Sequence, residues 1–185
     1  MTKKLLVLGM FLAMCVTIAC GKNSVYEVDK KEEVIKADGM PYETFLTQIG
    51  EDKRVAYVEL MQQFILVSDE TYLDQGGYVA MGAEVYLLQD EHVTLLNTLQ
   101  SGGTAYPISA DEEGFYVAGG HFCAYYQMKE GQLVMSEYVN ESFDTKGNAS
   151  YRVFKDEKES EGSKVDFETI FERYGKAERI YFETV

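Results

Sequence analysis

The chain of 185 residues contains no tryptophan, two prolines, two histidines and three cysteines, and its 17 Lys and Arg face 31 Asp and Glu. Each shortage excludes something. Two prolines beside 16 glycines rule out collagen-like or proline-rich material. His92, His121 and Cys123 are the whole soft-ligand set left for a zinc site, which takes three or four ligands, and only chance of fold would bring them together. No G-x-S-x-G, H-E-x-x-H or C-x-x-C occurs, so the common hydrolase, metalloprotease and redox signatures are absent. Ser101-Gly102-Gly103-Thr104 lacks the lysine and the following helix of a phosphate loop and reads as a wide turn. The excess of acid argues against nucleic acid as a partner. What is present is a hydrophobic fraction of 46%, enough for a core, in a length that suits one domain.

The N-terminus opens with Lys3 and Lys4 and continues as an apolar run from Leu5 to Ala19. A short positive segment before an apolar run shorter than a membrane span is the pattern of a secretory leader. The run ends in Thr17-Ile18-Ala19-Cys20-Gly21. This resembles the lipobox of bacterial lipoproteins, with Thr17 standing where that family usually has Leu. The resemblance implies cleavage between Ala19 and Cys20, a diacylglyceryl group on the Cys20 sulfur, and a cell-membrane location facing the extracytoplasmic side. Two or more acyl chains anchor stably where one is marginal. Cleavage would remove Lys3 and Lys4 from the 17 basic side chains and no acid from the 31, taking the net charge from −14 to −16. Cys15 would leave with the leader and Cys20 would carry lipid, so Cys123 has no disulfide partner within the mature chain.

The organisation that follows is a leader at 1–19, a lipidated cysteine and polar tether at 20–39, and one β-rich extracytoplasmic domain at 40–185. The apolar spacing predicts a short helix over Pro41–Ile49 stopped by Gly50. Strand patterns follow at Val55–Leu60, Phe64–Val67, Tyr78–Leu88, Val93–Leu99, Phe115–Ala118, Tyr125–Met128, Leu133–Val139 and Ala149–Phe154, separated by turn chemistry. In Asp111–Gly114 and Lys129–Gln132 the glycine after acidic residues suits a three-residue hairpin loop. Lys155–Lys164 reads as a charged surface loop. Asp166 can cap a helix over Phe167–Tyr174, in which Phe167, Ile170, Phe171 and Tyr174 share a face, with Gly175 ending it. Ala177–Thr184 reads as a last strand. The expected class is α+β, mainly antiparallel β: a meander of about eight strands with a short N-terminal helix, and a C-terminal helix followed by a final strand.

Among polar residues, Gly119-Gly120-His121 is the candidate ligand-binding segment. A glycine pair lets backbone approach a ligand, and His121 then serves as base or ligand; the plainer alternative is a strand irregularity with a hydrogen-bonded histidine. His92 falls in a turn. Asp69, Glu70 and Asp74 form an acidic loop that either binds a cation weakly or is simply solvated. Fourteen tyrosines and ten phenylalanines either pack across strands or line an exposed face suited to a sugar or protein. Cys123 reads as a small buried residue, or as a thiol activated by His121.

Val55–Leu60, Phe64–Val67, Ser101–Tyr106, Gly119–His121 and Tyr174–Glu178 together resemble a group of uncharacterised bacterial surface domains. That group carries an Asp-rich loop similar to the calcium loops of FG-GAP-type repeats. At the loop position this chain has Met61-Gln62-Gln63 after Glu59, too few oxygen ligands for calcium. The resemblance therefore implies a fold and no metal site. The expectation is a lipid-anchored binding domain without catalysis and without cofactor. Its partners would be membrane lipid through acylated Cys20 and a protein or glycan ligand, with no nucleic acid. The alternatives are an extracytoplasmic hydrolase using His121 with acidic residues, and a structural or inhibitory partner of an envelope complex.

Overall fold

The computed structural model describes residues 37–185. Ala19, Cys20, the leader and the tether up to residue 36 lie outside the described residues. The elements are β1 (Met40–Pro41), α1 (Tyr42–Leu46), β2 (Arg54–Glu59), β3 (Gln63–Ser68), β4 (Thr71–Asp74), β5 (Gly77–Ala80), β6 (Gly82–Gln89) and β7 (His92–Gln100). There follow β8 (Ser109–Ala110), β9 (Gly114–Gly119), β10 (Phe122–Lys129), β11 (Gln132–Phe143), β12 (Ala149–Lys155), β13 (Lys158–Glu161), α2 (Lys164–Lys176), β14 (Glu178–Arg179) and β15 (Glu183–Thr184).

All strand pairs are antiparallel, but they do not form one meander. A six-stranded sheet runs β1-β7-β6-β3-β2-β15, a seven-stranded sheet runs β13-β12-β11-β10-β9-β8-β14, and β4-β5 is a separate hairpin. The expected count of about eight was low, and the single meander divides in two between Leu99 and Phe115. Period-2 patterning explains why. On β3, Phe64 and Leu66 enter one cluster with Phe115, Val117 and Leu133 of the second sheet, while Ile65 and Val67 enter another with Phe45 of α1. A strand buried on both faces reads as a continuous apolar run, so the run itself does not reveal that two different layers cover it.

Each sheet thus has an inner face against the other sheet and an outer face under a helix. α1 seats Phe45 against Tyr86, ring centroids 4.7 Å apart. Burying such a ring contributes roughly 1.5–3 kcal/mol. The other sheet carries α2, whose Phe167, Ile170, Phe171 and Tyr174 pack with Tyr116, Cys123 and Val139. Ala37 belongs to the first outer layer: it is buried, and its carbonyl accepts from Leu95 N–H at 2.7 Å.

Several boundaries differ from the sequence reading. The first helix spans Tyr42–Leu46 rather than Pro41–Ile49; Pro41 is its N-cap and Thr47 its C-cap. The second helix starts at Lys164, because the cap is Ser163 and Asp166 is the third helical residue of a reciprocal capping box. Gly175 lies inside that helix, which ends at Lys176. Tyr78–Leu88 divides at Met81 into β5 and β6. Lys158–Glu161 forms a strand against β12 rather than a loop. Ala177–Thr184 divides into β14, paired with β8, and β15, paired with β2, so the chain end crosses from one sheet to the other. Gly131 is left-handed as expected, but its loop has two residues, Glu130 and Gly131, both at positive φ. Gly114 begins β9, where a side chain would strike the Tyr126 carbonyl.

Candidate functional site

Gly119 and Phe122 close the β9–β10 hairpin, so Gly120 and His121 form its two-residue turn. The register between β10 and β11 sets Phe122 opposite Asn140, which brings the turn over Glu141. Glu141 N–H donates to His121 O at 2.8 Å, and Asn140 Nδ2 donates to the same oxygen at 3.2 Å. The imidazole is thereby fixed: His121 Nδ1–H donates to Glu141 Oε2 at 3.2 Å, and its ring meets Phe143 edge-on at 5.5 Å between centroids. Glu141 Oε1 accepts from the Tyr151 hydroxyl at 2.8 Å. The Tyr151 bond, with His121 beside it, holds the Glu141 carboxyl below its usual range. The His121 side chain is 63% exposed and Glu141 17%. A neutral His121 bonded through Nδ1 keeps the Nε2 lone pair for solvent, the arrangement of an oriented base. Among the described residues no Ser, Thr or Cys side chain is hydrogen-bonded to His121.

The glycines serve the fold at this turn. A Cβ on Gly119 would strike the Phe122 ring, and one on Gly102 would lie 2.9 Å from Gly119 Cα. Ser101 explains the contact: Gly102 N–H donates to Ala118 O at 2.7 Å, and Ala118 N–H donates to Ser101 Oγ at 3.3 Å. Ser101–Thr104 is therefore a turn docked on the end of β9. Cys123 is fully buried beneath α2, and burial pushes its thiol up to about 12. It is a thiol at neutral pH and packs as a small apolar group.

The acidic residues Asp69, Glu70 and Asp74 are not gathered. Asp74 pairs with Arg179 at 2.7 Å, and Glu70 accepts from Gln100 at 3.0 Å. No group of three or more His, Cys, Asp or Glu placed to hold a metal occurs among the described residues. His92 lies at the start of β7, with Nδ1 2.8 Å from Asp90 O. The β2–β3 turn at Leu60–Gln62 contains no carboxylate.

Two features escaped the sequence reading. The first is a polar chain beneath α2. Asp111 Oδ1 accepts from Glu113 N–H, Gly114 N–H and the Tyr125 hydroxyl, and Oδ2 accepts from the Tyr116 hydroxyl, all at 2.8–3.0 Å. Tyr116 in turn accepts from Arg173 Nε at 3.2 Å, and Arg173 also binds Glu137. Burial opposes the Asp111 charge, yet the Glu113 amide, both hydroxyls and the Gly114 amide together hold its carboxyl below the usual range. Every lone pair it needs is occupied from within the chain, so this chain fixes helix to sheet. Asp111 lies in an acidic turn, but Tyr125 is 14 residues away and Arg173, which bonds Tyr116, lies 57 residues from that tyrosine, so no local pattern shows the chain.

The second is a groove of about 730 Å³ between β2 and the segment that leaves α2. Tyr57 and Leu60 line one wall, Glu112 and Glu113 another, and Glu178 and Tyr181 the third. His121 is not among its lining residues. Tyr57 is 58% exposed; burial and the Tyr42 hydroxyl, 2.9 Å away, push its phenol up to about 12. Tyr181 lies over the β4–β5 turn, where Gly76 leaves room that any side chain would take from the ring. Tyr86, Tyr116 and Tyr125, by contrast, are core residues.

Comparison of the chain with family models, with curated proteins and with solved structures gives no match. Function therefore rests on residues and geometry. Among the described residues no helix is long and apolar enough to cross a membrane.

Proposed function

We propose that this chain is a lipid-anchored extracytoplasmic protein whose β-rich domain binds a protein or glycan and does no chemistry on it. The leader and the Ala19-Cys20-Gly21 junction support the anchor. The groove between β2 and the α2–β15 segment is the observation that carries the binding reading. It combines exposed aromatic rings, suited to a sugar or a peptide, with the carboxylates of Glu59, Glu112, Glu113 and Glu178, which pair with no Lys or Arg among the described residues. The test has two arms on the full chain. In cells, the wild type is expected in the membrane fraction and Cys20→Ala in the soluble fraction; equal fractionation removes the anchor. In vitro, thermal unfolding is followed with ions, glycans, wall fragments and peptides. A ligand at about 100 times its Kd adds about 2.7 kcal/mol, a shift of several degrees, and no shift with any class removes the binding reading.

A second reading, an extracytoplasmic hydrolase, is favoured by one observation: the carboxylate of Glu141 orients His121. With no hydroxyl or thiol among the described residues bonded to that imidazole, the chemistry it offers is activation of water. Release of soluble fragments from wall polymer by the wild type and not by His121→Ala would make this reading the better one.

A further inference from the structure

β3 pairs with β2 along the whole of Arg54–Glu59, whereas β15 meets the opposite edge only at Arg54 and Val55. No described residue pairs with the remainder of that edge. The Leu60 N–H turns inward to Gln62 O across the β2–β3 turn. By strand alternation, Tyr57 and Glu59 then direct their backbone N–H and C=O away from β3, as Val55 does toward Glu183. Both residues line the groove. Open backbone groups on an edge strand are a template for another strand. Among the described residues this edge is covered at one end by β15, and beyond it Tyr57 and Glu59 line the groove.

Charge selects the occupant. Glu59, Glu112, Glu113 and Glu178 line the groove without an ion-pair partner among the described residues. Its two cations are already engaged, Lys176 with Glu172 at 2.6 Å and Arg179 with Asp74 at 2.7 Å. A second copy docked edge to edge would bring these same acids together, a repulsive pairing. We infer that the free edge of β2 binds an extended, cationic segment of a partner protein as an added strand, its backbone paired with Tyr57 and Glu59 and its basic side chains against Glu112 and Glu113. This rests on the binding reading above and names the partner's chemistry.

The probe is an alternating Lys–Val peptide of about seven residues, the length of an ordinary strand, titrated onto the full chain in detergent. Its two controls are the same peptide with Glu for Lys and the Lys–Val peptide N-methylated at alternate residues. The Lys–Val peptide is expected to bind and to slow amide exchange at Tyr57 and Glu59. Lost backbone bonds make the methylated peptide roughly tenfold weaker, and like charge makes the Glu peptide weaker by about as much or more. The double substitution Glu112→Gln with Glu113→Gln should weaken the Lys–Val peptide severalfold without lowering the thermal midpoint. Tyr57→Pro should abolish binding by removing an outward donor that β3 does not use, with Tyr57→Ala as the side-chain control; should Tyr57→Pro not fold, the methylated peptide decides the same point. Equal binding of Lys and Glu peptides, unchanged exchange at Tyr57 and Glu59, or protection of that edge by self-association without peptide would each overturn the inference. Failure here beside a thermal shift from another ligand class leaves the binding reading standing. Failure of both removes the two together.

Discussion

Asp111 shows what one residue contributes when its partners come from three places. Two amides of its own turn and two tyrosine hydroxyls, from β9 and β10, donate to its carboxylate and favour the ionised form. Its folded pKa is depressed, so its stabilisation is present above the unfolded value of about 3.9 and is lost as pH falls through the folded value. Asp111→Asn keeps the shape but gives up the charge and turns one acceptor into a donor facing a hydroxyl. It should destabilise the domain by roughly 1–3 kcal/mol near neutrality. In urea unfolding followed at successively lower pH, the gap between wild type and variant should narrow below about pH 4. A gap independent of pH would mean that packing, not the carboxylate, is what the variant loses. His121 makes the complementary point. Its identity and glycine neighbours were legible in the sequence, but Glu141 is 20 residues away and comes into reach only through the β10–β11 register.

At the scale of elements, the two sheets repeat one plan. β2-β3-β6-β7 and β8-β9-β10-β11 hold the same neighbour order, and each last hairpin carries an irregularity, Leu96 in one and Ser136 in the other. Phe64 and Phe115, at matching places on β3 and β9, meet edge to face at 5.2 Å across the interface. The alternating strands were legible because each sets at least one face in or against the core, β12 only through half-buried Val153. Lys158–Glu161 was not, since all four residues are exposed and only pairing with β12 makes them a strand. Nor was the division of Ala177–Thr184, because local pattern does not say which sheet a residue joins. Turn chemistry was only half legible. The β6–β7 turn places Asp90 and Glu91 at φ of 50° and 61°, a conformation that glycine and asparagine adopt without strain. Glu91→Gly should therefore stabilise the domain by about 0.5–1 kcal/mol and raise the thermal midpoint by a few degrees. A fall instead would show that the Glu91 side chain holds more than the turn costs; its carbonyl, which accepts Tyr42 N–H at 2.9 Å and docks α1, stays in the variant.

For the whole molecule, the dominant quantity is charge. The chain carries 31 acids against 17 bases, and its ion pairs are mostly at the surface, such as Arg152–Glu159, Lys164–Glu168 and Lys176–Glu172. Exposed pairs of this kind contribute about 0–1 kcal/mol each and weaken with salt. Net repulsion also weakens with salt, and it acts over the whole surface. The two effects have opposite signs, so one titration tells which prevails. Raising sodium chloride from about 0.01 M to about 0.15 M shortens the screening length from about 30 Å to about 8 Å. With acids nearly twice as numerous as bases, relief of repulsion should outweigh the loss of ion pairs, and the thermal midpoint should rise. Choline chloride should give the same rise, because screening depends on ionic strength and not on the cation. A midpoint that falls in both salts would mean that the ion pairs outweigh the repulsion. A rise in sodium chloride alone would mean that the acidic surface, the groove of Glu112 and Glu113 included, coordinates a small cation instead of only screening itself against one.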